Sequence, residues 1–247
     1  MRLLSVIPFF PLVLSAGLVL AAPPKSEELA QAFELAGIQL LCEQSAPLIA
    51  RGLPEAQQAQ VGKLFATGKM CTGLARRVAP KLEAAQLQQA EALLGSPLAK
   101  RFTEAERAVD AGAQGLAAYR LQLRERPPRA ERLALVRRLD RAAQTTALAA
   151  LLRYEAGKTQ LLLTLKGRGE HLDEQALAAQ TEAQAKALTV SSAEAVESFM
   201  LYAYRQMPSA ELAEYAALYE QEAVSRLLQV SVQALPGLFA ARRSRLK

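Results

Sequence analysis

Leu98, Phe102, Ala105, Val109, Leu116, Tyr119 and Leu123 recur at alternating steps of four and three, with Gly112 filling the one gap in the series. Side chains at those spacings share one face of an α-helix, so the run reads as one long helix with a continuous packing stripe. Glycine inside a helix costs about 1 kcal/mol relative to alanine, so Gly112 marks either a close helix approach or a weak point. The rest of the chain follows the same pattern. Ala, Leu, Gln, Glu and Arg, all good helix formers, dominate, and the 13 glycines and 12 prolines mostly mark boundaries. No stretch alternates as a strand would. The expected fold is all-α, a multi-helix bundle of about eight or nine helices packed ridges into grooves.

Boundary residues divide the chain. A first helix is expected from Ser26, with Glu27 and Glu28 in its positive first turn, ending before Pro47. Pro54 opens a second running towards Val78, and Pro80 a shorter one ending at Leu94. Gly95-Ser96-Pro97 is a stop and restart: glycine ends one helix, serine caps the next and proline takes its first position. Pro127-Pro128 ends the striped helix. Further helices are expected over 128–165, 173–188, 193–207 and 210–235, with a capping box at Ser191 and Glu194 and a cap at Ser209. This divides the chain into helical halves, 22–126 and 127–247, with room to share one core. A shift of 125 lays Leu87, Ala92, Leu93 and Arg101 on Leu212, Ala217, Leu218 and Arg226, as a duplicated unit or shared amphipathic composition would do.

The first residues read as a secretory signal, 1–21. Arg2 gives the positive start, the apolar run from Val6 to Leu20 is broken by Pro8, Pro11 and Gly17, and Val19 and Ala21 occupy the small-residue positions for cleavage after Ala21. The mature chain then has no segment expected to span a membrane, and its formal charge becomes 6 − 1 = +5. That excess does not indicate nucleic acid. The expected location is the periplasm, or beyond it if the protein is secreted. Cys42 and Cys71 lie outside any Cys-x-x-Cys pair, so in an oxidising compartment they read as one structural disulfide pinning the first helix to the next. Helical spacing sets Cys71 on the face of Val61, Leu64, Ala75 and Val78, and Cys42 with Leu35 and Ile38.

The segment from Ala203 to Tyr219, containing Glu211-Leu212 and Tyr219, together with Leu93-Leu94-Gly95-Ser96-Pro97-Leu98-Ala99, resembles the domain of unknown function 2059 family. Its recognisable stretch is a capped helix beginning Glu-Leu, then an aromatic pair, then Ser-Pro and a small residue. Here the pattern is split between two places, with Gln221-Glu222 where Ser-Pro would fall in the second. The resemblance implies a helical, mostly exported bacterial protein and supplies no activity.

Candidate chemistry is sparse. The single histidine, His171, lies in a polar loop sequence without the convergent partners that a metal site or hydrolytic triad needs. Gly167-x-Gly169 lacks the third glycine and the preceding strand of a phosphate cradle. No catalytic residue, metal or cofactor is assigned. The densest charge feature is Arg120, Arg124, Arg126, Arg129, Arg132, Arg137, Arg138 and Arg141 against Glu125, Glu131 and Asp140, a net 8 − 3 = +5. It reads as a docking surface for an anionic partner, such as an envelope protein or lipid headgroups, or as solvated helix ends around a proline hinge. Phe199, Tyr202, Tyr204, Tyr215 and Tyr219 cluster late, as core or as the lining of a ligand groove. The expectation is an exported, non-enzymatic binding or interaction protein of the bacterial envelope, accessory or chaperone-like. The alternative is a periplasmic carrier of a lipid or other apolar ligand.

Overall fold

The structure, a computed structural model, describes residues 22–246 apart from 111–112. The signal reading over 1–21 and the expectation for Gly112 therefore fall outside the described residues. Among those described, the fold is all-helical, with twelve α-helices, two short 3-10 turns and no strand. The bundle is as expected, but it has more helices than the eight or nine anticipated. Turns without an obvious breaker split several segments, and two expected pieces are fused.

After a 3-10 turn at Ser26–Glu28 come α1 (Leu29–Leu35) and α2 (Ile38–Ala50), separated at Gly37, whose φ of 71° suits a residue without Cβ. The first helix does not stop before Pro47. That proline is exposed within α2, and the carbonyl its missing N–H would have served belongs to exposed Glu43, within reach of water. The helix expected from Pro54 to Val78 is two, α3 (Glu55–Leu64) and α4 (Thr67–Val78), with fully buried Phe65 at the corner. Val61 and Leu64 thus lie on a different helix from Cys71. Pro80 sits in a 3-10 turn, and α5 (Ala84–Leu94) starts after it with a reciprocal cap between Glu83 and Gln86. The Gly95-Ser96-Pro97 restart is present: α6 (Pro97–Asp110) begins there, and Ser96 Oγ accepts from the Ala99 N–H at 3.3 Å. The stripe resumes in α7 (Ala113–Glu125), on the far side of residues 111–112.

In the second half, the segment 128–165 is α8 (Ala130–Ala143) and α9 (Thr145–Gly167). They part at Gln144, a non-glycine residue with φ 54°, where Asp140 accepts from both the backbone N–H and the hydroxyl of Thr146 at 2.8 Å. Conversely, the two helices expected on either side of Ser191 are one 30-residue helix, α10 (Glu174–Ala203). Asp173 caps its start, while Ser191 donates back to the Leu188 carbonyl at 3.2 Å, so its hydroxyl serves the helix interior instead of a new N-terminus. The final segment is α11 (Ser209–Tyr219), preceded by Pro208 at the cap position, then α12 (Glu222–Arg243), which runs through exposed Pro236.

The element order repeats. Helices α5 and α11 are offset by 209 − 84 = 219 − 94 = 125. The starts of α6 and α12 differ by 222 − 97 = 125, and the ends of α4 and α10 by 203 − 78 = 125. Packing repeats with it: α1 lies on α5 as α8 lies on α11, and α2 on α4 as α9 on α10. One helix of each half crosses to the other, α6 onto α10 and α11, and α12 onto α4 and α5. On the α4–α12 contact, a Cβ on Gly73 would come within 2.8 Å of Leu238 Cδ1, so glycine allows the close approach. Helices α2 and α9 pack on each other between the halves. The buried side chains consequently form one cluster from Leu29 to Leu246, not two. Cys42 and Cys71 are bonded, joining α2 to α4 with Cα atoms 5.7 Å apart. No described helix is long and apolar enough to cross a membrane.

Candidate functional site

A cavity of about 520 Å³ opens between the α1–α2 corner, α6, the α8–α9 corner and the α10–α11 segment. That volume is in the range of small-molecule sites, roughly 300–1,000 Å³. The two corners that rim it each turn through a left-handed residue, Gly37 and Gln144. Leu41, Leu139, Leu148, Leu152 and Met200 supply apolar wall.

Its polar floor comes from three elements. On α6, Glu106 follows buried Phe102 by four and precedes buried Val109 by three, which turns its carboxylate inward along the packing stripe. Tyr204 ends α10 and donates to Glu106 Oε1. On α11, Tyr215 and Tyr219 stand one turn apart with their hydroxyls 3.2 Å from each other and their rings edge to face at 5.1 Å. Phe102 stacks on Tyr215 with centroids 4.1 Å apart. Burial pushes the Glu106 carboxyl above the usual glutamate range, against the opposing effects of the Tyr204 hydrogen bond and Arg107. Burial likewise drives Tyr204, Tyr215 and Tyr219 up, with the Glu106 carboxylate adding to each, so all three remain protonated donors at neutral pH.

The internal repeat provides a comparison position for each of these groups. Subtracting 125 takes Tyr204, Tyr215 and Tyr219 to Ala79, Ala90 and Leu94, and adding it takes Glu106 to Ser231. All four counterparts are buried. Small and aliphatic side chains therefore complete the same corner of the other half, so the acid and the tyrosines are not demanded by the architecture.

The arginine group separates into two sets. Arg120 donates to Ser198 Oγ at 3.0 Å, Arg132 to the Tyr204 carbonyl, Arg137 to Glu197 at 2.7 Å, and Arg138 to both oxygens of Glu220 at 2.7 and 2.6 Å. These four fasten α7 and α8 to α10 and α11. Arg124, Arg126 and Arg129 are exposed and have no hydrogen-bond or ion-pair partner among the described residues, while exposed Arg141 acts through its charge on the Glu220 carboxylate. His171 is exposed in the loop between α9 and α10, and no group of three metal-capable side chains converges among the described residues.

A second polar cluster lies within the core. Arg243 meets Glu155 and Glu174 at 2.6 Å each, and Lys158 meets Glu174 at 2.8 Å, which ties α9, α10 and α12 together. Burial works against ionised Glu174, but hydrogen bonds from Arg243 and Lys158 outweigh it and hold the carboxyl below its ordinary range. With two acids and two bases the cluster is balanced, and its geometry is that of a lock.

Sequence reading named Tyr204, Tyr215 and Tyr219 as core or groove lining, and they line the cavity. It missed Glu106, whose signal is an acid on the apolar stripe, and it missed Glu155, Lys158 and Arg243. The chain matches no family model, no curated protein and no solved structure. The expected membership of the domain of unknown function 2059 family is accordingly withdrawn. The letters behind it, Glu211-Leu212 and Ser96-Pro97, lie in the first turn of α11 and at the start of α6, where such residues are ordinary helix-start chemistry.

Proposed function

We propose that this chain is an exported, non-enzymatic binding protein of the bacterial envelope, residing in the periplasm, and that its binding element is the cleft between the two helical corners. The observation that carries this is the tyrosine and glutamate floor, placed where the other half of the molecule is completed by Ala79, Ala90, Leu94 and Ser231. A polar cluster that the fold can do without, converging on a largely apolar cavity, is the ordinary form of a ligand site. The bonded Cys42–Cys71 pair fits an oxidising compartment. This reading takes up the carrier alternative and gives the interaction role to the cleft. The test is native mass spectrometry of the full chain purified under mild conditions, beside Ala149→Phe, which fills the cavity wall. A retained small molecule absent from the variant supports the reading, and an empty protein whose ligand screen is unaffected by Ala149→Phe overturns it.

A second reading rests on Arg124, Arg126 and Arg129, exposed around Pro127-Pro128 with no partner among the described residues. Such a group suits an anionic surface, an envelope protein or lipid headgroups. Co-sedimentation with anionic vesicles tests it: charge reversal of Arg124, Arg126 and Arg129 should abolish binding at low salt if the reading holds. Undiminished binding overturns it.

A further inference from the structure

The cleft is negatively charged in a positively charged protein. Its wall includes three acids, Glu34, Glu43 and Glu106, and one base, Arg107, a net of 1 − 3 = −2, whereas the whole chain carries +6. Glu34, Glu43 and Arg107 are exposed at the rim, while Glu106 faces the floor with the Tyr204 hydroxyl as its hydrogen-bond partner. Oε2 of Glu106 has no partner among the described residues. Around it stand Tyr204, Tyr215 and Tyr219, the first two rings edge to face at 6.3 Å and the last two at 5.1 Å. A carboxylate beside hydroxyls at the end of an apolar cleft offers a substituted ammonium group a counter-charge within an apolar surround.

We propose that the cleft takes a small organic cation with an apolar body, an alkyl or aryl amine or quaternary ammonium, whose charged head sits against Glu106 among the three tyrosines. This deepens the proposed function and rests on it. Each alternative head group fits the wall less well. An anionic head meets the Glu106 carboxylate and the acidic rim, and a neutral chain fills the apolar wall but does not engage the half-buried carboxylate. The cationic head engages it, and the apolar body covers Leu148, Leu152 and Met200. Phe102, stacked behind Tyr215 and fully buried, holds the floor in place before any ligand enters.

The test is isothermal titration of the full chain with decyltrimethylammonium, 1-decanol and decanoate, each below its aggregation threshold, using wild type, Glu106→Gln and Ala149→Phe, with circular dichroism to check folding. The expected result is that the cation binds at least about tenfold more tightly than the other two, that Ala149→Phe abolishes binding, and that Glu106→Gln removes the preference while sparing decanol. Equal affinity for all three, lost in Ala149→Phe, overturns the cationic ligand and leaves the cleft reading standing. Preference for decanoate does the same and points to an anionic cargo. Absence of binding by any probe, or binding indifferent to Ala149→Phe, overturns both. The comparison of the three probes on wild type needs no variant to fold.

Discussion

Arg243, in the last turn of α12, and Glu155, in the middle of α9, meet at 2.6 Å with each side chain only 2% exposed. A buried pair of this kind contributes little relative to a well-packed apolar pair, because removing both charges from water costs about as much as their attraction returns. Losing one partner is different. Glu155→Ala leaves the Arg243 guanidinium buried beside Lys158, with Glu174 as the only acid for both, and should destabilise by about 3–5 kcal/mol. The double change Glu155→Leu with Arg243→Met should recover most of that loss, since Lys158 keeps its 2.8 Å contact with Glu174. Chemical denaturation of the two variants is the check, and equal losses in both would refute the assignment.

Glu106 gives the stability a pH dependence of its own. Its carboxyl is raised by burial, so the folded state holds the proton more tightly than the unfolded chain, and ionisation costs stability. The deficit is absent below the ordinary value of 4.5 and develops as pH rises through the folded value. Glu106→Gln, which can still accept from Tyr204, should therefore stabilise the empty protein at pH 8 by on the order of 1 kcal/mol, about 2–4 °C in melting temperature for a chain of this size. At pH 4 the variant and the wild type should melt together. Scanning calorimetry at the two pH values decides it. The opposite sign holds for Glu174, whose lowered carboxyl contributes stability at neutral pH that is lost as pH falls through its folded value.

The fold class was legible because helix formers and stripes such as Leu98 to Leu123 need only local periodicity. Boundaries were legible where a breaker must act, as at Gly95-Ser96-Pro97, and misleading where solvent relieves it. Pro47 and Pro236 face water and stay inside helices. The α8–α9 corner escaped notice because Gln144 takes a left-handed conformation that sequence assigns to glycine or asparagine, supported by Asp140, a residue that looks like surface charge. The site was partly legible. Its tyrosines stood out, but whether they fill a core or line a cavity depends on which helices meet. Arg243 escaped notice, since Arg242-Arg243-Ser244-Arg245 carries no mark that one of its arginines is buried.

These boundary differences have measurable consequences. Ser191→Pro would be nearly harmless if a helix began there, but within α10 it removes a helical hydrogen bond and crowds the preceding turn, so it should cost about 3 kcal/mol or more. Gln144→Gly has the reverse expectation. At φ 54° the glutamine carries a penalty that glycine lacks, so the variant should gain up to about 1 kcal/mol. Thermal melts of the two variants separate this arrangement of corners from one broken at Ser191 and continuous at 144.

The disulfide links stability to the cleft. Cys42 and Cys71 are 29 positions apart, and closing a loop of that length constrains the unfolded chain by about 3–4 kcal/mol at room temperature. Cys42 is also flanked by Leu41 and Glu43, both on the cavity wall, so the bond fixes α2 to α4 directly behind one side of the site. Removing it by Cys42→Ala with Cys71→Ala should lower stability by that amount and loosen the α2 wall before the whole chain unfolds. Hydrogen exchange should then quicken over Ile38–Ala50, while the Arg243 end of α12, held by Glu155 and Glu174, stays protected. Uniform quickening along the chain would mean that the bond acts on global stability alone, with no separate hold on the cleft.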